Sequence, residues 1–484
     1  MSLLKKDLQN GILARQKELL KQVEADPWRL KYHQQAPTGW LNDPNGVHQK
    51  DGIYHLYYQY SPLDASGGLK YWGHKTSKDL VHFKEEEIFL YPDQKFDCHG
   101  VYSGSAFEES GVIHFFYTGN VKLSGKQYDY ISSGREQNTV HMTSRDGFSI
   151  DTREVAIDAK EYPEGFTQHI RDPKIIMKDD LYYMVLGGRT NEDKGAILLY
   201  ESKNLNDWNY KGNLLEDQSG LGYMWECPDF FILNGQDILL MSPQGLLKEG
   251  YKFENVYQSG FLMGKTDWTT LKFLPSKDFE ELDRGFDFYA PQTFEDEQGR
   301  RILWGWMGLP DIEPEYSNPT IERGWQHAMT MPRELNIENG KLKQRPLEEY
   351  RILRKNEWTQ NVDLKEKNYT VSETSDAYEM IVEIKQPTEP LEIFLSQDVK
   401  VSFDGDLFTL ELGESGYGRK TRSIELSTLT SIQLFVDSSS LEIFINDGEF
   451  VMTSRMYPTS NLREIRFEGK SMFQVRKWDL KTTQ

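Results

Sequence analysis

Five short segments of this chain repeat one pattern, and that repeat constrains the fold more than any other feature of the sequence. "GIYHLYYQY" (52–60), "GVIHFFYTG" (111–119), "DLYYMVLGG" (180–188), "QDILLMSPQG" (236–245) and "RRILWGWMG" (300–308) are each aromatic and aliphatic, and each follows a turn signal. That is the profile of a buried strand. Their starts lie 56 to 69 residues apart. A second set trails the first: "TSKDLVHF" (76–83), "TSRDGFSI" (143–150), "ESKNLNDW" (201–208) and "GKTDWTTL" (264–271). Each reads as a strand end, a polar turn and a return strand. Repeats of this length, built from short strands, predict propeller blades, each a small antiparallel sheet. The chain is therefore expected to be all-β, with a five-bladed β-propeller over residues 29–343.

Upstream of the five segments lie "WLNDPNGV", "VYSGSAF", "IRDPKII", "WECPDFF" and "FYAPQTF". Each is expected to be the first strand of its blade. First strands line a propeller's axis, so residues far apart in sequence converge at one end of it. Three of the five bring an acid: Asp43, Asp172 and Glu226.

The texture changes after the repeat ends. "RPLEEYRILRKNEW" reads as a linking helix, assigned to residues 344–358. Residues 359–484 carry period-2 alternation, as in "SIQLFVDSSSLEIFIND" (431–447), with "NDG" (446–448) as a hairpin signal. A C-terminal β-sandwich is expected there. At the other end, Leu4, Leu8, Ile12, Leu19 and Val23 recur at near-helical spacing within residues 1–28. They predict a short N-terminal helix docked on the body.

Composition narrows the function. With 56 basic and 76 acidic residues the net charge is −20, which argues against nucleic acid or an anionic membrane as partner. A small anionic ligand in a local basic pocket stays compatible. Aromatics are 13% of the chain, with 11 Trp and 26 Tyr, a wealth that suits clefts where flat rings stack on sugar faces. Cys98 and Cys227 form no CxxC pair, so neither a disulfide framework nor structural zinc is expected. No apolar run approaches 18 residues, and the N-terminus lacks the apolar core of a signal peptide. A cytoplasmic monomer or homodimer acting on a small molecule follows as the expectation.

Three carboxylates in one pocket repel one another, which proteins tolerate at metal sites and catalytic sites. None of the ten histidines shows HxxxH spacing and there is no EF-hand loop, so no metal and no cofactor is expected. Glycoside hydrolysis remains. It needs one protonated carboxyl to donate to the leaving oxygen and one carboxylate to attack or to activate water. Glu226 follows Met224 and Trp225 in an apolar stretch, which should raise its pKa and suit it as the acid. Asp43 lies between Asn42 and Asn45, whose amides should keep it ionised as the nucleophile. Asp172 follows Arg171, whose charge should hold it ionised as a stabiliser of positive charge.

The set "WLNDPNG", "YSGSA", "HIRDPK", "MWECPD" and "GFDFYAPQTF" resembles glycoside hydrolase family 32, the invertases and β-fructosidases, and "FVDSSSLEIFINDG" resembles that family's C-terminal module. The resemblance implies a five-bladed propeller followed by a sandwich, and cleavage of β-fructofuranosides with retention. It makes Asp43 the nucleophile, Glu226 the acid/base and Asp172 the transition-state stabiliser. Asn42, Gln59, Trp72, Tyr102, Ser103, Arg171, Tyr289 and Trp325 are implied as substrate-binding residues. "GGLKYWGH", "GYMWECPD", "SPQG" and "NVYQSG" resemble the branch of the family that hydrolyses sucrose carrying a phosphate on its glucose. Such a phosphate needs cations, with Lys70 the first candidate and His99, Arg189 and Lys194 behind it. Hydrolysis of plain sucrose or short fructo-oligosaccharides, fructosyl transfer and non-catalytic sugar binding stand as alternatives.

Overall fold

A computed structural model describes residues 3–217, 220–365, 367–372, 374–458 and 464–483. Five antiparallel sheets follow one another along the chain, and their innermost strands are Gly39–Lys50, Val101–Glu109, Phe166–Lys178, Met224–Leu233 and Tyr289–Glu295. Each innermost strand abuts the next, and the fifth abuts the first, so the sheets close into a five-bladed propeller. The ring is latched where Trp325–Gln326 pairs in parallel with Gly39 and Trp40 of the first blade.

The five repeated segments are the second strands: Ile53–Ser61, Val112–Lys122, Leu181–Thr190, Gln236–Gln244 and Arg301–Met307. They read as unbroken apolar runs because blades stack face to face and bury both sides of a strand. Tyr57, Tyr58, Phe115, Phe116, Val185, Leu186, Leu239, Leu240 and Leu303 are all fully buried. The trailing set closes the outer hairpins with a repeated turn. In each, one acidic or amide side chain accepts from two backbone N–H groups ahead of it. Asp79 takes Val81 and His82, and Asp146 takes Phe148 and Ser149. Asn204 takes Asn206 and Asp207, and Asp267 takes Thr269 and Thr270.

Two six-stranded sheets follow and enclose a shared core of Val382, Ile393, Val401, Leu410, Leu434, Ile443 and Phe467, which makes the C-terminal sandwich. Asn446, Asp447 and Gly448 turn between Ser440–Ile445 and Phe450–Arg455 with φ of 51°, 58° and 75°, the left-handed geometry the "NDG" signal demands. The linking helix expected at 344–358 is not there. Lys341–Pro346 ends a propeller strand, Glu348–Leu353 makes a short 3-10 turn, and Arg354–Asp363 is already a sandwich strand. Pairing of that strand with Met472–Leu480 overrides the local helical preference. The N-terminal helix spans Leu3–Glu24. Ile12 and Val23 are buried, Leu8 and Leu19 half-buried, and Leu4 exposed. No helix among the described residues is long and apolar enough to cross a membrane.

Propeller and sandwich are joined by buried ions rather than by a loose linker. Arg333 donates to Glu442 at 2.8 Å and to Asp283 at 3.1 Å, with all three side chains sealed from solvent. His33 bridges Asp437 and Glu442, 2.9 Å from each. Arg419 makes a two-pronged pair with Asp287 at 2.7 and 2.8 Å. Burial alone would lower the His33 pKa, but its two carboxylate partners override that and raise it above 6.5. Its cationic contribution is therefore fully present below pH 6.5 and is lost as pH rises through the folded-state value. Glu442→Ala should cost about 3–5 kcal/mol, because the buried Arg333 and His33 each lose one of their two carboxylate partners. Thermal unfolding at pH 6 checks this, and a fall in Tm below 2 °C, far short of what such a loss implies, would contradict the role given to the network.

Candidate active site

The acids owe their positions to a backbone irregularity that recurs in every blade. The innermost strand carries one extra residue relative to its partner between Leu41 and Pro44, Val101 and Gly104, Arg171 and Lys174, Glu226 and Asp229, and Tyr289 and Gln292. Such bulges re-aim side chains. In three blades the bulge holds a non-glycine residue at positive φ just before a proline: Asp172 at 64°, Cys227 at 50° and Ala290 at 48°. Each costs on the order of 1 kcal/mol or more, a strain that the closed ring around it sustains. Asp43 and Asp172 both directly precede their proline, Pro44 and Pro173. Glu226 lies one residue further back, with Cys227 before Pro228. Counted from the residue that opens each bulge, Glu226 is that residue, Asp172 lies one further on and Asp43 two, so the acids occupy successive positions and not the single equivalent one that the repeat suggested.

Asp43 is held from two blades. Asn42 Nδ2 donates to its Oδ1 at 3.0 Å, and the Ser103 hydroxyl donates in a short bond to its Oδ2. Gln59 ties these two supports together, accepting from Asn42 at 2.7 Å and donating to Ser103 at 2.7 Å. Trp40 Nε1 fixes the Asn42 amide by donating to its Oδ1 at 2.8 Å. Asn45 takes no part, since its Oδ1 accepts from Gly104 N and its Nδ2 is buried without a partner. Burial raises the Asp43 pKa, and the bonds from Ser103 and Asn42 partly offset this.

Arg171 reaches across to Glu226, not to the adjacent Asp172. Its Nε and one terminal nitrogen contact Glu226 Oε1 at 3.0 and 2.5 Å. The bulge, with Asp172 at φ 64°, sends the two side chains in different directions, so Arg171 turns away from its sequence neighbour. Glu226 Oε2 also accepts from Gln244 at 2.7 Å and from the Tyr289 hydroxyl at 2.6 Å. Burial would raise Glu226, but the Arg171 charge and these donors outweigh it and hold the carboxyl below its usual range. Asp172 accepts only from Cys227 N at 2.9 Å and, more weakly, from the Cys227 thiol at 3.6 Å. Burial pushes it up to about 7 against the pull of Arg171. Both expectations are reversed: Glu226 is the carboxyl held below its usual range, and Asp172 the one that burial pushes towards neutrality. The Cys227 thiol is raised by burial and by the three carboxylates, so it stays protonated.

Below the acids the axis is closed. Gln292 bridges Gly104 O and Val47 N, and Lys174 spans Asp229 and Thr293 O, so the pocket is blind. Ser103, Gln59, Asn42, Arg171 and Tyr289 all gather at the acids, and Tyr102 sits half-buried beside them. Trp72 and Trp325 do not join them. Trp72 is 0% exposed in the core between blades, its Nε1 donating to Tyr102 O. Trp325 is 1% exposed between the N-terminal helix and Tyr457, its Nε1 on Asp26. Neither ring has a face free for a sugar.

The four cation candidates separate too. Lys70 is at the site, 4.7 Å over the Trp40 ring, lowered by burial to about 7 despite Asp43. Arg189 is paired with Asp193 at 2.7 Å, and Lys194 with Glu192 at 3.1 Å. His99 is exposed, its Nδ1 accepting from Lys122 N at 3.2 Å. The sequence reading missed Gln244, Trp40, Gln137 and His169. Gln244 was within the quoted "SPQG", and His169 within "HIRDPK", but nothing in sequence shows that they reach Glu226 and Arg171.

A blind pocket with three carboxyls at its closed end, each in different surroundings, suits glycoside hydrolysis. The chain belongs to glycosyl hydrolases family 32: the family's N-terminal domain matches residues 33–346 and its C-terminal domain residues 347–480. The chain is 40% identical to the sucrose-6-phosphate hydrolase of Bacillus subtilis (strain 168), over 95% of each chain. It is 41% identical to that of Staphylococcus xylosus, over 96% of this chain and 95% of the relative. Among solved structures, sucrose-6-phosphate hydrolase from Lactobacillus gasseri superposes with a TM-score of 0.88 at 30% identity, covering 98% of this chain and 97% of that one.

Because Asp172 is raised to about 7, it resists ionisation that the unfolded chain undergoes near 3.8. It therefore lowers stability progressively between those values and by its full amount above pH 7. Asp172→Asn should raise Tm at pH 7.5 while lowering kcat by at least about a hundredfold. A variant that is inactive and also less stable at pH 7.5 would contradict this electrostatic picture.

Proposed function

We propose that this protein is a retaining β-fructofuranosidase whose substrate is sucrose 6-phosphate. What carries the reaction type is the placement of Asp43 and Glu226 on different blades in different surroundings. Asp43 is presented by neutral donors, Asn42 and Ser103 and, more weakly, the Cys227 thiol. Glu226 is presented by a cation and two neutral donors. Likeness along nearly the full chain to sucrose-6-phosphate hydrolases supports the substrate.

The fructosyl unit enters the blind pocket, its hydroxyls meeting Asn42, Gln59, Arg171 and Asp172. The charges of the three carboxyls act on one another, so they titrate as a set. Sugar hydroxyls donating to Asp43 and Asp172 favour their charged forms and leave a proton to Glu226. Asp43 then attacks the fructosyl C2 as the bond from C2 to the glucosyl oxygen breaks, and the Glu226 proton goes to that oxygen. Asp172 faces the positive charge that builds on the ring. Water next gives a proton to Glu226 and its oxygen to C2, and Asp43 leaves as a carboxylate. Tyr289 and Gln244 keep Glu226 aimed through both steps. A cytoplasmic home belongs to the same proposal, since a phosphorylated sugar does not diffuse across a bilayer.

Hydrolysis of unphosphorylated sucrose is the second reading, and the pairing of Arg189 and Lys194 with carboxylates favours it. Comparing kcat/KM for the two substrates decides: the proposal predicts at least a tenfold preference for sucrose 6-phosphate, and equal values or the reverse exclude it. Asp43→Asn should retain the fold by circular dichroism and lose about 10⁴-fold or more in turnover on either substrate. Activity within tenfold of the native enzyme would remove Asp43 from the nucleophile's role.

A further inference from the structure

Three arginines converge on His169 at the rim between blades two and three, and only two of them have a carboxylate. Arg171 pairs with Glu226 at 2.5 Å and Arg189 with Asp193 at 2.7 Å. The Arg135 side chain makes no hydrogen bond or ion pair with any described residue, and its Nε is sealed from solvent without a partner. The three charges, with burial as the larger cause, push the His169 imidazole down to about 3. Its neutral Nδ1 accepts from Arg171 at 2.6 Å. Like charges held this close repel, and a protein of net charge −20 that leaves one of them uncompensated has a place for an anion.

The strand geometry says where that anion lies. Arg135 opens the strand Arg135–Ser144, opposite Lys122. Gln137, two residues on and so on the same face, accepts from Arg171 at 3.2 Å. Arg135 therefore stands one side-chain level outward of the Gln137–Arg171–Glu226 chain, and its charge is felt by Tyr102, Arg171 and Glu226. Glu226 meets the glycosidic oxygen, so the leaving sugar occupies this side. Tyr102 is fixed there because Gly100, at φ +136°, lets its ring approach to 2.8 Å from where a Cβ would stand, with Lys70 Cβ 3.5 Å from the same point.

We propose that Arg135 anchors a phosphate subsite, its guanidinium binding the 6-phosphate of the glucosyl leaving group beside Tyr102. Lys70 packs near the same ring, and a bound phosphate would favour its protonated form, which burial holds down to about 7. A planar guanidinium suits two phosphate oxygens at once, whereas the carboxylate-paired Arg189 and Lys194 are already neutralised. The proposal rests on sucrose 6-phosphate as substrate.

The test measures kcat/KM for sucrose 6-phosphate and for sucrose in the native enzyme, Arg135→Gln and Arg135→Lys, with inhibition by glucose 6-phosphate as a second readout. Arg135→Gln should lower the ratio of the two kcat/KM values at least tenfold and weaken glucose 6-phosphate inhibition by a similar factor. Arg135→Lys should recover part of both, and it carries the test if the Gln variant does not fold. A native preference for sucrose 6-phosphate that Arg135→Gln leaves intact, or equal losses on both substrates, overturns the subsite and leaves the function standing. A native enzyme without that preference overturns the function itself, and the subsite with it.

Discussion

Gathering three carboxyls at one end of a propeller axis is electrostatically unfavourable, and the rest of the molecule is arranged around that cost. Asp43, Asp172 and Glu226 are largely withdrawn from water and raise one another's affinity for protons. Only one receives a counter-charge in direct contact, Glu226 from Arg171. That single pair sets Glu226 apart from the other two, lowering its pKa while burial raises theirs. It also leaves Asp172 poised near neutrality, where binding of a hydroxylated ring can shift the proton between groups.

Such a set needs a frame that does not relax away from it. Part of the frame is the bulge repeated in all five inner strands, which turns side chains into the axis at the cost of left-handed backbone at Asp172, Cys227 and Ala290. The rest is the ring itself, closed by Trp325–Gln326 and clamped to the sandwich through Arg333, Glu442, His33 and Arg419. Those ions are fully buried and mutually paired, so sliding one domain on the other would strand several charges at once. The sandwich thereby supports a site to which it contributes no side chain described here.

Much of this was legible in the sequence, for reasons that differ by residue. The second strands announced themselves because both faces are buried, which leaves runs such as "HLYYQY" with no polar alternation. The acids were legible because each sits in a proline-containing stretch shortly before the second strand of its repeat, Asp43 and Asp172 directly before the proline and Glu226 two residues before it. The partner of Arg171 was not legible, since a bulge decides which way a side chain points and no local rule states that. Trp72 and Trp325 looked like sugar platforms by residue type alone, and packing between layers had already used their faces. "EEYRIL" favours a helix locally, yet the strand beginning at Arg354 had to pair with Met472–Leu480. Arg135 sits in an unremarkable polar stretch, and its importance lies in lacking a carboxylate that its neighbours possess.

The central claim is that Asp43 and Glu226 act in sequence on opposite sides of one bond, through a fructosyl group carried on Asp43. Running the reaction in the presence of methanol reads this out directly, because methanol competes with water for that group. Retention through Asp43 predicts methyl β-fructofuranoside as the sole methyl glycoside, identified by carbon NMR, since the methyl ketal keeps its anomeric configuration in neutral solution. Formation of the α anomer would show a single inverting displacement by solvent and would contradict the account.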